Sequence, residues 1–424
     1  MKRNSTFKRR SLILILLVLL LAMSGVLFYL IVQKGGFMGK NHSSSGPEDE
    51  KNTSSSAQTD PAHSSGNASE EEALEQKIQE LISSMTLEEK VCQLFFVTPE
   101  GLTGVDLATQ AGETTKASLE QYPVGGIIYF SQNIENEKQL TAMTANMQSY
   151  SQLPLFIGID EEGGSLVARI ANNPAFQVET FPNMAEIGAT GDTSKAFEVG
   201  NSIGSYLKKY GFNLDFAPDA DVLTNPENTA IGERSFGSDP NLTAQMVAEE
   251  VKGFQQQNVI PVLKHFPGHG GTAEDSHHGA AVLNRSLEEL ENAEFLPFKA
   301  GIEAGANVVM VGHLQVPQLI SDDTPASLSS ELITGILREK LGFDGIVITD
   351  SLSMGAITEY YTPDEAAVRC IQAGGDMLLM PQDFKTAYEG VLNAVKNQTI
   401  PESRIDESLS RIFHVKPTKN LIVR

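Results

Sequence analysis

The sequence predicts an α/β protein built as a (β/α)8 barrel of the TIM type, and two observations carry that prediction. First, eight short apolar runs alternate with helical stretches: LFFVT (94–98), GGIIYF (125–130), LFIGID (155–160), NLDFAP (213–218), PVLKHF (261–266), NVVMVGHL (307–314), GIVITD (345–350) and DMLLMP (376–381). Such runs read as parallel strands covered on their faces by helices. Second, Asp160, Asp215, Lys264, His265, His313 and Asp350 gather at the C-terminal ends of runs. That is the end where barrels assemble active sites. A doubly wound open sheet is the alternative, but no Gly-x-Gly-x-x-Gly turn follows the first run.

Ahead of the barrel, MKRNSTFKRR carries five basic residues, and an uncharged stretch of 22 residues, SLILILLVLLLAMSGVLFYLIV, follows it. That length suits a transmembrane helix, and the basic flank predicts a cytoplasmic N-terminus with an exported body. Residues 1–34 are therefore expected to be a basic tail and an uncleaved signal-anchor, cleavage and secretion being the alternative. The expected location is the cell membrane, single-pass, with the catalytic domain outside the cytoplasm. Residues 35–69 are rich in Ser, Gly, Asn and Pro, which predicts a flexible stalk. Residues 70–424 form the single globular domain, expected as a monomer. Its first segment, SEEEALEQKIQELISSM, has helical spacing, and Thr86 with Glu89 makes a capping box for the next helix.

With 54 acidic against 31 basic side chains, the chain carries a formal net charge of −23. Such a field repels phosphate backbones, which excludes nucleic acid as a partner. The two cysteines, Cys92 and Cys370, stand far apart in apolar contexts. They offer neither a disulfide framework nor a thiolate zinc site, and read as core residues.

The candidate chemistry lies in the loops after the runs. Asp350 ends GIVITD as a carboxylate at the barrel mouth or, alternatively, as a helix N-cap. Asp160 ends its run in the same way; Glu161 and Glu162 beside it read as a solvated loop face or as local hydrogen-bond acceptors. Arg169 and Arg234 are cations that could reach the mouth or pair on the surface, Arg234 with Glu233 or Asp239.

Four of the eight histidines fall in KHFPGHGGTAEDSHHGAAVL, residues 264–283. A metal site is one reading, but no H-E-x-x-H or comparable spacing exists, and neither metal nor cofactor is expected. Packing is a second reading, suited to His269 and His278. Proton transfer is the third: in an extended loop Asp275 and His277 point to the same side, and the carboxylate favours the imidazolium. Gly268, Gly270 and Gly271 would let this loop move. A carboxylate with a His–Asp pair suits glycosyl transfer with retention.

The motifs KHFPGHG…DSH, IDEEGG, NLDFAPDADV, ERSFGSDP and GFDGIVITDSLSM resemble glycoside hydrolase family 3 in its β-N-acetylhexosaminidase branch. The resemblance covers about residues 75–415 and implies a barrel and a retaining mechanism without metal. It makes Asp350 the nucleophile, His277 the acid/base and Asp275 its partner. Asp160, Arg169, Arg234, Lys264 and His265 would hold the sugar, although the segment before Arg169 is one residue longer than the family pattern. The further domains of the family's β-glucosidases are expected to be absent, so the acid must come from the chain's own loop. The implied activity is release of terminal β-linked N-acetylglucosamine, from peptidoglycan-derived fragments. A β-glucosidase-type exo-glycosidase and a non-catalytic wall-binding protein are the alternatives.

Overall fold

A computed structural model of the chain describes residues 64–273 and 275–416. The expected signal-anchor and most of the expected stalk lie outside the described residues. Among the described residues no helix is long and apolar enough to cross a membrane. The first helix, Ser64–Ser84, begins inside the segment assigned to the stalk.

All eight apolar runs contain strands, here β1 (Phe95–Val97), β2 (Gly126–Tyr129), β3 (Phe156–Ile159), β4 (Leu214–Asp215), β5 (Ile260–Phe266), β6 (Val308–Val311), β7 (Ile346–Thr349) and β8 (Leu378–Leu379). They pair in parallel in the order β7-β6-β5-β4-β3-β2-β1-β8. A parallel bridge between Ile348 and Met377 joins the two end strands. Thr349 N–H donates to the Met377 carbonyl at 3.1 Å, and Asp376 N–H to the Val347 carbonyl at 2.8 Å. The sheet thus closes into the expected barrel, with helices such as Glu137–Tyr150, Ser194–Lys209 and Pro240–Gln256 in the connections. Local sequence sets their starts: Thr86 and Glu89 form the capping box, and Asp239 caps the helix that opens with Pro240.

The barrel interior is packed by matching large residues to small ones. Phe96 lies parallel to Phe156 at 6.3 Å and edge-on to Phe216 at 5.3 Å. Glycines on β2 and β3 make room for it: a Cβ on Gly126 or Gly158 would fall 2.5 or 2.8 Å from the Phe96 ring. Cys92 and Cys370 are free and buried, as expected of core residues.

The N-terminal end of the barrel is fastened to the last helix, Glu402–Val415. Asp376, fully buried, accepts from Val347 N–H, Ser408 Oγ and the guanidinium groups of Arg338, Arg404 and Arg411. Nearby, the buried Lys416 ammonium donates to Gln93 Oε1 at 2.8 Å and lies 5.3 Å from the centre of the Phe156 ring.

Burial pushes the Lys416 amine down to about 7. Between pH 7 and its ordinary 10.5 the unfolded chain binds a proton that the folded chain does not. Stability should therefore rise with pH across that window, by up to ~1.4 kcal/mol per pH unit from this group. Chemical denaturation of wild type and Lys416→Met at pH 7, 8.5 and 10 checks this: the variant should lack the rise. Equal slopes in the two proteins would show that Lys416 stays charged when folded.

Candidate active site

The residues at the C-terminal strand ends converge on one cavity of about 420 Å³. Asp160, Arg169, Arg234, Lys264, His265, His277 and Asp350 all line it, and Asp275 reaches it through His277. A larger cavity, about 510 Å³, opens at the opposite end beside Asn213, Ile260 and Asn307. It is lined by no carboxylate or imidazole, and Lys208 is the one charged side chain among its lining residues.

At the centre of the site is a residue the sequence reading placed on a solvated face. Glu162 is buried, and so is Glu161. Arg234 grips Glu162 with two prongs, Nε to Oε2 at 2.8 Å and Nη2 to Oε1 at 2.6 Å. Lys264 Nζ reaches the same carboxylate at 2.5 Å and Asp160 Oδ1 at 2.9 Å. Burial opposes the Glu162 charge, but Arg234 and Lys264 outweigh it and hold the carboxyl well below the usual range. Arg234 is therefore drawn inward, and Glu233 bonds Asn183 instead of forming the surface pair that spacing suggested. A signal for Glu162 was present: it stands two residues beyond Asp160, the interval that returns a side chain to the same side of an extended chain.

Arg169 does reach the mouth. Glu161 accepts from Ile170 N–H (2.8 Å), Ala171 N–H (2.9 Å) and the Tyr206 hydroxyl (2.8 Å), which folds the segment after β3 back on itself. Arg169 then lies over the Phe130 ring, 5.4 Å from its centre, with Nη2 3.8 Å from Asp160. Two asparagine side chains join the loops. Asn183 accepts from Ser165 N–H and donates to Glu233, while Asn228 donates to the His269 and Thr272 carbonyls.

Consecutive strand residues ordinarily point to opposite faces, yet Lys264 and His265 both line the cavity. A register shift between Leu263 and Phe266 accompanies this placement. His265 Nδ1 bonds Asp221 Oδ2 at 2.7 Å, and Asp221 Oδ1 accepts His269 N–H at 2.5 Å. Asp221 and its neighbour Asp219 were both missed by the sequence reading. Burial, with the Arg234 charge, pushes His265 down to about 4. The ring is neutral at pH 7, with its Nδ1–H on Asp221 and Nε2 left as an acceptor.

Asp350, partly buried, ends β7 but caps no helix: the following helix, Gly355–Thr358, starts after Met354. Burial opposes its charge, yet His265, His313 and the Ser351 N–H, which donates to Oδ1 at 2.7 Å, hold the carboxyl below the usual range. Since His265 and His313 are both pushed toward neutrality by burial, the direct support at pH 7 is the Ser351 donor. His313 itself spends both ring nitrogens on Ser327 Oγ and the Ser351 carbonyl. Asp215 does not face the cavity; it accepts Glu161 N–H, and burial drives its carboxyl well above the usual range.

Asp275 and His277 do meet, with Nδ1 and Oδ1 2.7 Å apart. The contact comes from a tight turn, Ser276–His278, and not from an extended loop; Asp275 caps that turn by accepting His277 N–H. The glycines at the loop root stand in close contact with other segments. A Cβ on Gly270 would fall 2.1 Å from the Val222 carbonyl oxygen, and one on Gly268, at φ +127°, 2.6 Å from Glu294. These positions demand glycine because the loop root packs tightly. His269 completes it, bonding Thr272 Oγ1 and Ser276 Oγ at 3.0 Å each.

Among the described residues Glu162 is the only carboxylate shared by Lys264 and Arg234, so Glu162→Gln leaves two cations without their closest partner. The expected loss is about 3 kcal/mol in urea unfolding. A loss near zero would show that Asp160 and Asp219 suffice to hold both cations.

The family described as "Glycosyl hydrolase family 3 N terminal domain" matches residues 86–415. Beta-hexosaminidase A of Pseudoalteromonas piscicida is 34% identical over 327 residues, covering 70% of this chain and 54% of its own. Beta-hexosaminidase LpqI of Mycobacterium tuberculosis is 34% identical over 313 residues, covering 71% and 78%. The chain thus spans about half the length of the first relative and most of the second. Among solved structures, a β-N-acetylglucosaminidase from Paenibacillus sp. superposes with a TM-score of 0.74 at 38% identity, over 80% of this chain and 63% of that one. Fold, site geometry and sequence agree: the chain belongs to glycosyl hydrolase family 3.

Proposed function

We propose that the protein is a retaining exo-β-N-acetylhexosaminidase that releases terminal β-linked N-acetylglucosamine from cell-wall-derived glycan fragments. The observation that carries this reading is one cavity holding an ionised Asp350 and an imidazole, His277, oriented by Asp275. Asp350 attacks the anomeric carbon while protonated His277 gives its proton to the glycosidic oxygen, and the leaving sugar departs. Neutral His277 then takes a proton from water, water attacks the same carbon, and Asp350 is released with β configuration restored.

Asp275 holds Nδ1, so proton transfer runs through Nε2. The buried Lys264 and Glu162, with Asp160, Arg234 and His265, present donors and acceptors in fixed positions for the sugar hydroxyls. No step needs a metal. The exported, membrane-anchored location expected from residues 1–34 would put the site where wall fragments occur; it is part of the proposal. The same polar set could accept a glucoside, and relative rates on nitrophenyl N-acetylglucosaminide and nitrophenyl glucoside separate the two substrates.

Asp350→Asn should lower kcat on nitrophenyl N-acetylglucosaminide by at least about 10³-fold. His277→Ala should lose about 10²-fold on a poor leaving group and much less on a dinitrophenyl one, which departs without a proton. Wild-type turnover in Asp350→Asn, with the fold intact by circular dichroism, would refute the covalent mechanism.

A further inference from the structure

The mechanism uses His265 and His277 of the histidine cluster and leaves His269 idle. Its surroundings give it a task. The residue is only 3% exposed, and both ring nitrogens are bonded: Nδ1 lies 3.0 Å from Thr272 Oγ1 and Nε2 3.0 Å from Ser276 Oγ. Thr272 is fixed in turn, donating to the His269 carbonyl at 3.0 Å and accepting from Asn228 Nδ2 at 3.2 Å. The His269 N–H donates to Asp221, the carboxylate that also holds His265 Nδ1.

Burial pushes the His269 ring below its ordinary value, toward neutrality, although the Asp221 charge pulls the other way. A neutral imidazole has one N–H, so one of the two hydroxyls accepts from the ring and the other donates to it. Neither nitrogen is left over. An apolar side chain would fill this space without the cost of desolvating an imidazole. Two directional bonds instead fix the plane of the ring and aim Nε2 at Ser276.

Ser276 opens the turn Ser276–His278, which carries the proposed acid/base. Such a turn has about three residues per revolution, so neighbouring side chains leave it about 120° apart. Ser276 is buried against His269, while His277, next in the chain, faces the cavity that holds Asp350. Asp275 orients the His277 ring within the turn; His269 ties the turn to the protein. The bonds make one buried path, His265–Asp221–His269–Ser276, which starts at a residue lining the cavity and ends beside His277. Neither His269 nor Ser276 lines the cavity itself.

We propose that His269 is a positioning residue for the acid/base: through Ser276 Oγ it places His277 Nε2 at the glycosidic oxygen, and through Asp221 it refers that placement to His265. The assignment rests on the glycosidase reading, and the test keeps the two apart. Full-length wild type, Ser276→Ala, His269→Ala, the double variant and His277→Ala are assayed for kcat/KM on phenyl and dinitrophenyl N-acetylglucosaminide. The phenyl leaving group needs the proton and the dinitrophenyl group does not. Ser276→Ala should lose about tenfold on the phenyl substrate and stay within about twofold on the dinitrophenyl one, which controls for folding and sugar binding. His269→Ala should match it, and the double variant should lose no more than either single, because both remove the same bond. If His269→Ala does not fold, Ser276→Ala decides alone, since it deletes one oxygen and leaves the ring in place. Equal losses on the two substrates, no loss on either, or single losses that multiply in the double variant would overturn the assignment. A His277→Ala variant without a preference for the dinitrophenyl substrate would remove the acid/base role and this assignment with it. A wild type inert on both substrates would remove the glycosidase reading itself and what is built on it.

Discussion

One buried carboxylate sets the terms for this site. Glu162 sits where water cannot screen it, and the cost of holding its charge there is offset only by the two cations it binds. Those cations come from distant parts of the chain, Lys264 from β5 and Arg234 from the loop after β4. Their shared anion converts three separate loop ends into one rigid floor. Asp160 then takes the second bond of Lys264, and Arg169 closes on Asp160 from the other side. Removing any one member leaves a charge without its partner in a poorly solvated place, so the set is held together by the penalty for breaking it.

The remainder of the mouth is built to feed this floor. Glu161 turns the chain back after β3, Asn183 and Asn228 bridge neighbouring loops, and Asp221 joins the end of β5 to the root of the His277 loop. The last of these carboxylates does two things with one group: it fixes the tautomer of His265 and anchors His269. The barrel below contributes stiffness. Phe96 fills space that Gly126 and Gly158 vacate, and the Asp376 cluster fastens the final helix across the strands that close the sheet.

Much of this was legible in the sequence, for a physical reason. Parallel barrel strands are buried on both faces, so each leaves an uninterrupted apolar run, and the polar residue that ends a run marks the mouth. Asp160, Lys264, His265 and Asp350 were visible on that ground alone. What could not be read is partner choice across long separations. Spacing puts Glu162 on the side of Asp160, but its burial depends on partners 72 and 102 residues away, at 234 and 264. The same limit hid Asp219 and Asp221, which look like ordinary loop acids until β5 is placed beside them. The glycines of KHFPGHGG were visible, but their close approach to Val222 and Glu294 was not, since those neighbours come from elsewhere in the chain.

The His277 side chain, at 66% exposure, stands in the open, whereas Lys264, Glu162 and Arg234, proposed to hold the sugar, are largely covered. On the proposed mechanism, the incoming water must approach from the side the leaving sugar has just vacated. With His277 this exposed, a hydroxyl that lingers there would, on that mechanism, compete with water for the glycosyl group. The balance between cleaving a glycan and passing its terminal unit to another sugar is then fixed less by the protein than by how crowded its surroundings are with acceptors.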